Sequence, residues 1–359
     1  MGDLAAGFLT LRDVFARRVA EVGIDLISTA VTASTQAYNT AINQLLSVLV
    51  EDLRDNGVFQ ERYKLPVSGT LQPVDEYGRP KPIGGEVWYT QAYPLQYGAH
   101  AWGTNWIAMA KMTVEEANDR TNEALRADAD WLIRHILACL FFNAAWMFRD
   151  EQYGDLTVYP LALGEGNVKY VTRTGALVNA SMYSAQANPI GAGADNPFPT
   201  VVRQLRLFPV NQGPIVTYIH NDQRASVEAL AGFVPVGDGD IELGSGSDRL
   251  TNGGPTGHLG DELIGKVNGS WVAEWERMPS GYTLSHCLGT KPIVRRQQKE
   301  ASLQGFIAKP VIQDGNVSSF EFYRHAGFAP RNRVGVHIRR IGAASYTPPA
   351  EYASLPLVV

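Results

Sequence analysis

Apolar positions along this chain change period several times, and each change marks an element. Leu11, Val14, Phe15, Val22 and Leu26 recur at helical steps, and Tyr38, Ile42, Leu45, Leu46, Leu49 and Leu53 do so more strongly. That spacing predicts two amphipathic helices, with VTASTQ (residues 31–36) as the break between them. The period then drops to two. Tyr63, Leu65 and Val67 alternate with Arg62, Lys64 and Pro66, and Val87, Tyr89, Tyr93, Leu95 and Tyr97 share one parity on the return. Between them lies DEYGRPKPIGG (75–85), dense in turn residues. The pattern predicts a long β-hairpin arm within 56–112. An isolated hairpin is not stable in water, so the arm must lie on something. Tyr63, Leu65, Tyr77, Arg79, Val87, Tyr89 and Tyr93 are its candidate contacts with another copy of the chain. Prolines at 66, 73, 80, 82 and 94 blunt indiscriminate edge pairing.

Helical spacing returns at TVEEANDRTNEALRADAD (113–130). Thr113 followed by Glu116 fits a capping box, and one helix is predicted over 113–149. Its second half contains WLIRHILACLFFNAAWMF (131–148), the most apolar stretch of the chain and about the length of a bilayer span. Arg134, His135 and Asn143 interrupt it, each costly in hydrocarbon. The prediction is a helix exposed at its start and buried by protein after Trp131. Downstream, residues 150–205 read as strand and loop, with SAQANPIGAGADNPFPT (184–200) as a surface loop. A strand should enter a helix at NDQRASVEALAGF, capped by Asn221 or Asp222. The glycine-dense stretch from Gly237 reads as an exposed loop. Strand, turn and strand follow in ELIGKVNGSWVAEWERMPSGYTL, with a turn at Met278–Tyr282. FEFYRHAGFAPRNRVGVHIRRIG closes the chain as strands with a Gly-Phe-Ala-Pro corner.

Composition narrows the class. With 359 residues, 45% hydrophobic and 19% charged, the chain can bury a sizeable core. A net charge of −5 excludes a wholly basic nucleic-acid binder. The sign is uneven: residues 285–345 carry ten Lys/Arg against three acids, and residues 1–55 four Arg against seven acids. Such asymmetry points to complementary surfaces between copies at least as readily as to a nucleic-acid site, with Arg331, Arg333, Arg339 and Arg340 as candidates for pairing with acids on adjacent copies. Cys139 and Cys287 have no CxxC spacing, so neither a disulfide framework nor a cysteine zinc site is expected. The first residues lack the basic region of a secretory signal, and no repeat of 20–50 residues marks a solenoid.

Chemistry is sparse. The chain has no HExxH, GxxxxGK[ST] or GxSxG, and no GxGxxG between strand and helix. GDGD (237–240) spaces two aspartates as calcium loops do, but Glu242 and Arg249 fall where that loop needs other ligands. His220 and His286 read as structural histidines. Lys64 and Lys81 are of a type that can form an amide with a neighbour's asparagine. No catalytic, cofactor-binding or metal-binding residues are expected.

The order of parts resembles the major capsid proteins of tailed bacteriophages, the Hong Kong 97-type fold. GKVNGSWVAEWERMPSGYTL is similar to that family's glycine-marked strands and Met-Pro turn, IVRRQQKEASLQGF to the segment after it, and FYRHAGFAPRNRVGVHIRRIG to its closing segment. The resemblance implies an α+β chain with an N-terminal helical arm (1–55) and an extended β-hairpin loop (56–112). A peripheral domain follows (113–205, spine helix 113–149), then an axial domain (206–305) and a return to the peripheral domain with the tail (306–359). It implies self-assembly as hexamers and pentamers into an icosahedral virion shell around double-stranded DNA. The DNA contact would be weak and non-specific, with portal, scaffold or decoration proteins as further partners, and without cofactor, enzyme activity or membrane. Many relatives carry a removable N-terminal scaffold segment, and 1–55 is short for that role. The alternatives are an encapsulin-type nanocompartment shell and an enzyme whose site carries no readable motif.

Overall fold

The computed structural model describes residues 17–22, 24–65, 74–79, 87–150, 153–236, 258–314 and 317–355. The chain divides into two compact units. The first comprises Met1–Gln44, Leu95–Arg134 and Gln297–Gly327; the second comprises Leu45–Pro94, His135–Arg296 and Phe328–Val359.

In the first unit the strand Val317–Pro330 pairs antiparallel with Phe306–Asp314 on one side and Gln96–Asn105 on the other. Trp102, Phe306, Phe320 and Phe322 bury one face of this sheet with Val19, Ile27, Val31, Ala117 and Ala124 from the helices. Trp102 stacks on Phe320 at 4.5 Å and Phe306 on Phe322 at 5.4 Å. Gly98 is a close approach: a Cβ there would lie 3.2 Å from the Trp131 ring. One helix, Ile24–Leu46, runs through the expected break at 31–36. Thr32, Thr35 and Thr40 donate their hydroxyls to the carbonyls of Ser28, Val31 and Gln36 at 2.9, 2.8 and 3.2 Å. Back-bonded in this way, residues that favour breaks are carried inside a helix.

Beneath the sheet lies a buried ion pair. Arg324 donates through Nε to Asp128 Oδ1 at 2.8 Å, and Tyr38 donates its hydroxyl to Asp128 Oδ2 at 2.8 Å. Both members of the pair are 1% exposed. Asn39 holds both backbone groups of Phe306, at 2.8 and 2.9 Å. These contacts fix the N-terminal helix, the long helix and the sheet to each other.

The long helix is Val114–Phe141, which corrects the expected end at 149. Its capping box forms: Thr113 Oγ1 accepts from the Glu116 amide at 3.2 Å and Glu116 Oε2 from the Thr113 amide at 3.3 Å. Leu132 and His135–Phe141 are buried. At the far end Tyr183 donates to the carbonyls of Leu140 and Phe142, each at 2.9 Å, and Tyr346 donates to that of Phe141 at 2.7 Å. Those hydroxyls satisfy carbonyls that a helix end leaves open. Beyond it, Trp146–Asp150 pairs with Gly154–Val158 as strands. Trp146 and Phe148 face a hydrophobic cluster while Met147 is 63% exposed. That alternation is the period-two signal the apolar run concealed.

The second unit centres on a seven-stranded mixed sheet. Its order is Val234–Pro235, Glu262–Val267, Ser270–Glu274, Ile215–Ile219, Tyr282–Cys287, Val336–Ile341 and Tyr183–Gln186. Every residue of Ile215–Ile219 and Tyr282–Cys287 is buried. Asn268 and Gly269, at φ 47° and 86°, make the tight turn between Glu262–Val267 and Ser270–Glu274. The helix Phe198–Arg206 covers part of the sheet, with Val201 and Leu205 against Ile215 and Cys287. It corrects the loop reading of 184–200. Pro199 sits in its first turn, and Phe198, Val201 and Leu205 follow helical spacing. After Ile219 comes a single 3-10 turn, Asn221–Gln223, which His220 caps by accepting from the Asp222 amide at 3.3 Å. The helix that follows is Arg224–Glu228.

Two tests follow. Replacing Arg324 by Met leaves Asp128 buried without its cation and should cost about 3–5 kcal/mol in urea unfolding; adding Asp128→Leu should recover much of it. Burial holds His286 and His337 down to about 3, whereas each titrates near 6.5 when unperturbed. The unfolded chain therefore takes up protons that the folded one refuses. Stability should be full above about pH 6.5 and fall as pH drops towards 3. His286 stacks on Tyr218 at 5.6 Å, and neither ring nitrogen has a partner among the described residues. His286→Phe should make that fall shallower, and an unchanged pH profile would contradict the assignment.

Candidate assembly surfaces

Among the described residues the arm is a hairpin whose return strand ends earlier than its pattern. Gln60–Leu65 pairs antiparallel with Val87–Ala92, setting Tyr63 opposite Tyr89 and Leu65 opposite Val87. The return strand stops at Ala92, ahead of Pro94, and Tyr97 belongs to the strand Gln96–Asn105. Shared parity therefore joined residues of two strands.

The root of the hairpin is tied into its own unit. Tyr93 is fully buried and donates to Glu61 Oε2 at 2.6 Å; its hydroxyl lies 2.8 Å from that of Tyr63, which also bonds Glu61. Arg331 closes the group at 3.3 Å from Glu61 Oε1. Tyr63 stacks on Tyr89 at 5.2 Å, Tyr89 meets Tyr159 edge-on at 6.2 Å, and Arg333 lies 5.6 Å from both of the latter rings. Burial pushes the Tyr89 hydroxyl up to about 12 and raises Tyr63 and Tyr93 as well. These phenols stay neutral and act as hydrogen-bonding struts. Tyr93 thus differs from the interface role expected of it, because it has no surface left for a neighbour.

The tip is self-organised and open. Asp75 Oδ1 accepts from the amides of Tyr77 and Arg79 at 3.0 and 2.7 Å, and the Asp75 carbonyl accepts from Gly78 at 2.9 Å. Gly78 sits at φ 72°, where a side chain would strain the turn. Tyr77 is 77% and Val74 58% exposed, with the Arg79 guanidinium 6.0 Å from the Tyr77 ring. A second exposed group lies along the arm, where Arg62 and Lys64 sit 4.7 and 5.7 Å from the ring of Trp88. The sequence reading passed over Arg62 and Trp88, because both fall on the parity opposite the tyrosines.

The basic segment resolves differently from its charge count. Arg295, Arg296, Arg324 and Arg333 are buried. Arg295 binds Asp52 at 2.6 Å, Arg296 the Tyr93 carbonyl at 3.0 Å, and Arg333 the Pro160 carbonyl at 2.6 Å and Glu165. Arg339 and Arg340 are half-buried in the strand Val336–Ile341, opposite Thr283 and Tyr282. Burial lowers the hold of Arg339 on its proton, and Arg340 donates to Thr347. Much of the asymmetry is therefore internal pairing. Among the described residues no His, Cys, Asp or Glu group could hold a metal, and no helix is long and apolar enough to cross a membrane. Gly237–Asp240 and Lys81 lie outside the described residues.

No family model and no curated protein matches the chain. Solved structures do. A structure from Mycobacterium phage Patience is 18% identical, with a TM-score of 0.67 over 97% of each chain. The bacteriophage PhiM1 mature capsid is 9% identical, with a TM-score of 0.52 over 82% of this chain and 86% of that one. The chain has the fold of phage capsid proteins, the Hong Kong 97-type α+β fold.

Root and tip should respond differently to substitution. Tyr93→Phe removes a buried hydrogen bond and should cost about 1 kcal/mol of stability. Tyr77→Ala, at an exposed position, should stay within about 0.5 kcal/mol. Equal losses in thermal unfolding would contradict the division.

Proposed function

We propose that this chain is the major capsid protein of a tailed bacteriophage, which self-assembles as hexamers and pentamers into the icosahedral head around double-stranded DNA. The fold likeness across 97% of both chains carries this reading. In it, 1–55 is the N-terminal arm and the hairpin Gln60–Ala92 the extended loop, while Gln96–Asn105 and the spine helix belong to the peripheral domain. The expected bounds of 113–205 and 306–359 for the peripheral domain and 206–305 for the axial one give way to the seven-stranded sheet, which takes Tyr183–Gln186 and Val336–Ile341 into the axial domain.

The arm supports the assignment in detail. A hairpin with a packed root and an exposed Tyr77–Arg79 tip is suited to reach a neighbouring copy, and Trp88 with Arg62 and Lys64 adds a second contact group. Leu65 and Val87 pair at the outer end of the described strands, and Tyr63 stacked on Tyr89 braces the hairpin from its root. Arg339 and Arg340 mark a second, smaller contact. Contact with DNA is weak and non-specific, consistent with net charge −5. Portal, scaffold or decoration proteins complete the virion, and assembly takes place in the host cytoplasm. The chain is structural and not an enzyme.

Negative-stain microscopy of the purified chain tests the reading, with closed particles expected. Deleting 70–86 should leave a soluble, folded protein that closes none. Normal shells from that deletion would exclude the arm as the lattice contact.

A further inference from the structure

Two strands of the sheet in the first unit, Phe306–Asp314 and Gln96–Asn105, each have one side without a strand partner among the described residues, and they are built differently. Phe306–Asp314 carries the exposed Lys309, continues with Pro310, and shifts register between Lys309 and Ile312. A charge, a proline and a bulge are the devices that keep an edge from pairing with another chain. Gln96–Asn105 has none of them. It is ten residues without Asp, Glu, Lys, Arg or Pro, in unbroken register with Val317–Ala326, and among the described residues it pairs with that strand alone. Tyr97 is 62% exposed on its open face, followed by exposed Ala99, Ala101 and Gly103.

We propose that Gln96–Asn105 pairs antiparallel with the same strand of a second copy, His100 opposite His100. Steric fit selects this occupant and register. With His100 at the two-fold, Tyr97 faces Gly103 of the other copy, twice, and Ala99 faces Ala101. An aromatic ring covering a cross-strand glycine is a favourable pairing. A shift of two residues sets Tyr97 against Ala101 or Asn105 and loses that fit. The contact is isologous, so one surface serves both partners. It carries no like charges. A single strand pair covers much less than the ~1,200–2,000 Å² of a stable free complex. It therefore forms where other contacts already hold the copies, inside the shell, and rests on the assembly reading above.

Introducing His100→Cys into the full-length chain tests it, since directly opposed strand residues lie within disulfide reach. Native Cys139 and Cys287 are buried, so background crosslinking is low. Oxidised particles run on a non-reducing gel should migrate at twice 39.2 kDa. Tyr97→Cys, placed opposite residue 103, should stay monomeric. Adding Ala99→Lys to His100→Cys sets a lysine against Ala101 of the other copy and should remove the dimer band from particles that still form. Particles of His100→Cys that remain monomeric on the gel, or a dimer band that survives Ala99→Lys, overturn the edge pairing alone. Failure of the unmodified chain to form any particle overturns the assembly reading instead.

Discussion

A buried guanidinium must find an anion or a carbonyl, and this fold is organised around four that do. Arg295, Arg296, Arg324 and Arg333 come from the last part of the chain. Their partners, Asp52, the Tyr93 carbonyl, Asp128 and the Pro160 carbonyl, come from the first half. Within each unit these bonds join strands laid down late to elements laid down early. Losing one partner would strand a charge in low dielectric, far costlier than losing a surface pair. The apolar clusters supply the bulk attraction; the guanidinium pairs specify which strand meets which.

The arm inherits its geometry from this arrangement. Arg296 holds the carbonyl of Tyr93, and Tyr93, Tyr63 and Glu61 lock the strands where they leave the body. The tip is held by its own Asp75 turn. A stiff base and a preformed end lower the ordering cost of docking, so the arm can present Tyr77 and Arg79 without first having to fold.

Much of the architecture was legible in the sequence. Helical spacing and the Thr113–Glu116 pair located the start of the long helix, period two located the hairpin, and the order of parts pointed to the fold. What failed did so for physical reasons. Trp146 and Phe148 extended an apolar run whose period had already changed, so the helix was drawn too long. The threonines of 31–36 looked like a break because their back-bonding depends on a helix already present. Phe198–Arg206 was hidden by prolines that also occur in loops, though Pro199 in a first turn was a usable signal. The fate of the arginines was not legible at all. Charge counts carry no burial, and the acids that neutralise Arg295 and Arg324 lie 243 and 196 residues away.

The hydroxyl caps on the long helix have a consequence in time. Tyr183 follows the last turn by about forty residues, but Tyr346 reaches back across 205 to the Phe141 carbonyl. At a synthesis rate of roughly 5–20 residues per second, that carbonyl waits about ten to forty seconds for its cap. Through that interval water serves the Phe141 carbonyl, while Tyr183 already holds those of Leu140 and Phe142, so the long helix is closed in two stages set by the order of synthesis.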